Sequence, residues 1–257
     1  MAARVESRWR VTGALGVASA VLLLVSAALV AGAPFPNASA AQIVIWYQQN
    51  RTLVQTAAAL NALAAVPLLL FVSGIRHEFT LTAGDDARLS NTLFAGTITF
   101  VSLETISSLP AIGMSLLVNR PGSAPSDALV HLLADLSFFQ HGNIGILASV
   151  FIGSLGLLAL RGSIARRWVG WMAVTAAVFG IVGGFTSFFP SVTGKANAIA
   201  TVSPFGFLLT QLTVIITGIL MLTGRNPAGA GRWSPNQNNA GAGAPHAERT
   251  KVKQGDS

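Results

Sequence analysis

The sequence predicts an all-α polytopic membrane protein, a bundle of six transmembrane helices, on three observations. Six long apolar runs are separated by short polar connections: Trp9 to Ala33, Leu53 to Ile75, Thr92 to Val118, Leu129 to Leu160, Trp168 to Phe189 and Pro204 to Thr223. Each is close to or above the ~20 residues that a helix needs to cross a hydrocarbon core of ~30 Å. Hydrophobic residues make up 52% of the chain and charged residues 10%, where a soluble domain carries about 25% charged residues. The basic residues also alternate between connections. With a cytoplasmic N-terminus, the inner segments hold Arg4, Arg8, Arg10, Arg76, Arg88, Arg161, Arg166 and Arg167, and the tail adds Arg225, Arg232, Arg249, Lys251 and Lys253. Only Arg51, Arg120 and Lys195 fall outside. That asymmetry predicts a plasma-membrane protein with both termini cytoplasmic.

The first run follows a basic segment and precedes Ala38-Ser39-Ala40, which imitates a signal-peptide cleavage site. It exceeds the roughly 7–15 residues of a signal-peptide core, so it reads as an uncleaved first span. In the outer connection, Ser39 and Gln42 fit a capping box, and Ile43, Trp46 and Tyr47 follow at helical spacing. They predict a short interfacial helix that anchors the second span, or a lid over an outward-facing cavity. The connection Arg76 to Ser90 mixes both charge signs and reads as solvated; its Asp85-Asp86 pair is too sparse for a hard cation, which needs several converging oxygens. Asn119 to Ser126 is rich in helix breakers, with Ser126 or Asp127 placed to cap the fourth helix. That helix is longer than one crossing requires, so it tilts or projects beyond the membrane. Residues 1–225 thus form one membrane domain. Residues 226–257, mostly Gly, Asn, Ala and Pro without periodicity, form a disordered cytoplasmic tail.

Small residues supply the packing signals. Gly142, Gly145, Ser149, Gly153 and Gly156 recur every three or four positions on the fourth span, and Gly180 and Gly184 do so on the fifth. Such stripes let helix backbones approach closely, more often within a chain than between chains.

Composition also excludes functions. The net charge of +7 follows from the topogenic arginines, so no nucleic-acid partner is expected. No cysteine is present, which rules out disulfides, thiol catalysis and iron–sulfur clusters. The membrane domain contributes only His131 and His141 within its spans, too few for the paired histidines of a six-helix haem protein. No HExxH, GxSxG or Walker sequence occurs. No cofactor, metal or catalytic residue is assigned.

The informative residues are the polar ones inside the membrane. Glu104 lies near the centre of the third span, where a carboxyl-bearing residue costs roughly 2.5–3.5 kcal/mol on translocon scales. No span core holds Lys or Arg. At 1.5 Å rise per residue, His141 on the fourth span falls within ~5 Å of its depth. Asn61, Asn143 and Gln211 lie near the same level, so four of the six helices bring a polar group to the midplane. Their cost against lipid predicts that they turn inward, as a ligand or proton site or as interhelical hydrogen bonds. Thr97 and Ser108 share the Glu104 face, and Pro110 is placed to kink the helix beyond it. A second candidate pair, His131 and Asp135, stands one helical turn apart near the outer end of the fourth span.

Three stretches carry a family likeness: Ile43 to Arg51 (IVIWYQQNR), Asp127 to Leu136 with its ALVHLLADL pattern, and Arg161 to Trp171 ending in RRWVGW. With the six-span pattern, the chain resembles an uncharacterised family of six-span integral membrane proteins from high-GC Gram-positive bacteria. The resemblance implies the fold and a bacterial membrane but no activity, and Glu104 and His141 lie outside the three stretches. Two function classes fit the sequence. One is a carrier for a small molecule or coupled to protons, with its site at Glu104, His141, Asn61, Asn143 and Gln211. The other is a non-catalytic scaffold or accessory subunit that holds a membrane-protein partner. In both, the lipid bilayer is the principal surrounding.

Overall fold

A computed structural model describes residues 2–35, 37–80, 85–122, 124–162, 164–187 and 202–223. They form seven helices: α1 (Ala2–Leu29), α2 (Ala40–Gln49), α3 (Arg51–Thr80), α4 (Asp85–Val118), α5 (Asp127–Leu160), α6 (Arg167–Ser187) and α7 (Val202–Leu222). All but α2 are long and apolar enough to cross a membrane. The chain is an all-α, multi-pass integral membrane protein. The tail from residue 226 lies outside the described residues, and so does Lys195.

The six long helices form a ring in chain order. Each packs on the next, α7 closes the circle on α1, and only a light α5–α7 contact crosses it. Antiparallel neighbours with short connections give this arrangement naturally, since sequential helices tend to lie side by side. The interior is filled rather than open. Phe71, Phe151, Leu155 and Leu158 are at most 1% exposed, and Phe100 stacks on Phe151 with ring centroids 6.0 Å apart. This core occupies the half of the bundle nearer the arginine-rich end, where Arg8, Arg10, Arg76, Arg88, Arg161, Arg166 and Arg167 lie.

Close backbone contact at the seams comes from small residues. On α5, Gly145 faces Gly180 and Gly184, Gly153 faces Ala177, and Gly156 faces Ala173 and Gly170, so the glycine stripes of α5 and α6 meet each other within the chain. Ser149 Oγ donates across the same seam to the Ala177 carbonyl at 2.8 Å. Gly206 meets α6 at Phe179 and Gly180, Gly218 meets α1 at Gly13 and Val17, and Gly96 meets α5 at Val150 and Phe151. The α1–α3 seam uses Gly16 against Phe71 and Gly74 against Thr12. It adds hydrogen bonds from Ser19 to the Ala64 carbonyl at 3.1 Å and from Ser26 to the Ala57 carbonyl at 2.8 Å.

Local signals explain the helix ends. Ser39 caps α2 with the full reciprocal capping box to Gln42, and Ser126 caps α5 by accepting from the Leu129 amide. The α2 helix lies over the ends of α3, α4 and α5 opposite the arginines, with Ile43 and Tyr47 buried against Val54, Met114, Val118 and Val130. Its Gln48 amide donates to the Val118 carbonyl at 3.2 Å, satisfying an orphan acceptor at the end of α4. One expectation is corrected. The solvated connection from Arg76 to Ser90 is mostly helix, because α3 continues to Thr80 and α4 begins at Asp85. The two extensions hold each other. Arg76 Nε donates to Asn91 Oδ1 at 2.9 Å, and its guanidinium lies 4.6 Å from the Phe94 ring centre.

Candidate functional site

Midway along the α3–α4 seam, Asn61 and Glu104 face each other. The Asn61 Nδ2 group donates to Glu104 Oε1 at 2.9 Å and to the Glu104 backbone carbonyl at 3.3 Å. Ser107 Oγ donates to that same carbonyl at 2.7 Å. Pro110, six residues further along α4, lacks the amide hydrogen that would bond the Ile106 carbonyl. The Asn61 and Glu104 side chains are both partly buried.

The seam is unusual in this ring. Among the described residues, no glycine contributes to α3–α4 packing, and Gly113 on α4 has nothing within 4 Å of where a Cβ would stand. Polar pairs take the place that small residues hold at the other five seams. Beside the pair lies a void of about 10 Å³ closed by Leu23, Leu68, Phe100 and Val101. It has room for a single water molecule. Asn61 Oδ1 is buried and finds no hydrogen-bond partner among the described residues.

Of the other polar residues at mid-depth, Gln211 stands apart from this pair. Gln211 is 2% exposed on α7, which packs on α1, α6 and lightly α5, across the ring from the α3–α4 seam. Asn143 is partly buried on α5, one helix further round. The His141 side chain lies outside the described residues. Thr97 Oγ1 donates to the Leu93 carbonyl at 2.7 Å and Ser108 Oγ to the Thr105 carbonyl at 2.8 Å, so both hydroxyls are used within α4. Near the other end of α5, His131 is partly buried and Asp135 exposed, and among the described residues no ion pair joins them.

Sequence reasoning missed one set of polar contacts. Thr12, Ser19 and Ser26 stand seven residues apart on α1 and all face α3, two through hydrogen bonds to its carbonyls. That heptad spacing is legible in the chain and by itself marks one face of the helix.

No protein-family model matches the chain, and no curated protein or solved structure matches it.

Proposed function

We propose that the protein is a non-catalytic membrane scaffold or accessory subunit in which Asn61 and Glu104 latch α3 to α4. The single observation that carries this reading is the double hydrogen bond from the Asn61 amide to Glu104. It sits at the one seam without a glycine contact among the described residues. Interhelical hydrogen bonds in membranes contribute ~0.6 kcal/mol on average, so the latch fixes register more than it adds stability. The adjoining void of about 10 Å³ supports the same reading, since sites for small molecules occupy roughly 300–1,000 Å³. On this reading both termini are cytoplasmic and the protein lies in the plasma membrane. Support comes from the arginine-rich end of the ring, which holds Arg8, Arg76 and Arg161 among others, against Arg51 and Arg120 at the opposite end.

A proton-coupled carrier is the second reading, and a specific observation favours it. The unpartnered Asn61 Oδ1 near a water-sized void is an acceptor for a proton-bearing group or a transient water. One experiment separates the two. Wild type and Glu104→Gln are reconstituted into vesicles carrying a pH-sensitive dye, and each gene is returned to a deletion strain. A scaffold leaves both vesicle preparations proton-tight and both genes equally able to restore the phenotype. Proton movement present in wild type and lost in Glu104→Gln would replace the scaffold reading with the carrier.

A further inference from the structure

We propose that the cleft between the arginine-rich ends of α1 and α3 binds one anionic phospholipid. The cleft has a volume of about 430 Å³, within the range of small-ligand sites. Its floor is made of small groups. Thr12 and Gly74 bring the two backbones together, and Ser73 beside them is too short to fill the space. Trp9 and Val11 from α1 and His77 from α3 stand at its walls.

The depth of the cleft argues for a lipid rather than a free anion. The helices are antiparallel and in register here, as the Ser19–Ala64 and Ser26–Ala57 hydrogen bonds record. The first apolar span begins at Ser7 and the second ends at His77, so Arg8 and His77 reach headgroup level together. From that polar mouth the cleft continues past Trp9 to Val11, which is 60% exposed and faces acyl-chain depth. A phosphate at Arg8 with its first methylenes along Val11 matches this gradient.

Charge selects the headgroup. Arg8 is exposed at the mouth, and Arg76, Arg88, Arg166 and Arg167 share that end of the bundle. The Asp86 carboxylate is engaged by Arg161 at 3.1 Å, away from the cleft. A guanidinium donates charge-assisted, bidentate hydrogen bonds to phosphate oxygens, and basic pockets between transmembrane helices suit anionic headgroups. The site does not use Asn61 or Glu104, so it stands apart from the α3–α4 latch.

The test is native mass spectrometry of the full chain released from micelles containing phosphatidylglycerol and phosphatidylcholine in equal amounts. One phosphatidylglycerol per chain should be retained in preference to phosphatidylcholine. Arg8→Gln should weaken it about tenfold, equivalent to ~1.4 kcal/mol. Ser73→Phe fills the floor without changing charge and should weaken it comparably. Arg166→Gln removes a charge from the same end but outside the cleft, and should leave binding unchanged. Equal retention of both lipids would overturn the proposal, as would wild-type binding by Arg8→Gln. An equal loss in Arg166→Gln would reduce the effect to diffuse surface charge and also overturn it. Displacement of the lipid by equimolar inorganic phosphate would show a simple anion site instead.

Discussion

A single amide nitrogen, Asn61 Nδ2, holds both the side chain and the backbone of Glu104, at 2.9 Å to Oε1 and 3.3 Å to the carbonyl oxygen. Gln at position 104 keeps an oxygen acceptor for that amide and adds an NH₂ donor near the unpartnered Asn61 Oδ1. Glu104→Gln is therefore expected to retain wild-type stability. Glu104→Ala and Asn61→Ala should each lose about 1 kcal/mol, with a coupling between them of ~0.6 kcal/mol in a double-mutant cycle. Additive losses in unfolding measurements would mean that the pair does not latch the helices.

The α5–α6 seam should not tolerate an added methyl group at Gly180. A Cβ at Gly180 would stand 2.7 Å from the Gly145 carbonyl oxygen, a backbone atom with little freedom to move. Gly180→Ala is expected to cost about 1–3 kcal/mol through overpacking. At Gly113 nothing stands within 4 Å, so Gly113→Ala should stabilise α4 by about 0.5–1 kcal/mol. Thermal unfolding in detergent reads both. Equal melting temperatures for the two variants would contradict this packing.

Tyr47 gives the bundle a sensitivity to high pH. Burial pushes its phenol above the ordinary value of 10.0, because the phenolate is poorly solvated beneath α2. The folded state thus holds the proton more tightly than the unfolded chain. This contribution is complete below pH 10 and is lost as the pH rises through the folded value. Tyr47 is the chain's sole tyrosine, so its ultraviolet ionisation band reports the titration directly. Tyr47→Phe should remove that alkaline loss of stability, and a band titrating at the ordinary value would refute the shift.

Orientation can be read by labelling, since the chain has no cysteine of its own. Ser7 and Ala124 are exposed at opposite ends of the ring. With cytoplasmic termini, Ala124→Cys should react with a membrane-impermeant maleimide in intact cells, and Ser7→Cys only after permeabilisation. A reporter fused after Arg225 should likewise be active only in its cytoplasmic form. The reverse labelling pattern would invert every inner and outer assignment.

The sequence by itself determined the helices, because bilayer thickness and backbone hydrogen bonding leave a six-run apolar chain few alternatives. Caps at Ser39 and Ser126 and the α5 and α6 glycine stripes were equally legible, since each is a local rule written within a few residues. Tertiary structure alone decided which helices meet. Depth arithmetic puts Glu104, His141, Asn61, Asn143 and Gln211 at one level but says nothing of azimuth around the ring. The closed order of helices is what gives Glu104 to Asn61 and leaves Gln211 on the far side. The extension of α3 and α4 past the membrane was hidden for a related reason. Polar residues such as Arg76 and Asn91 look like a loop until a neighbouring helix supplies their partners.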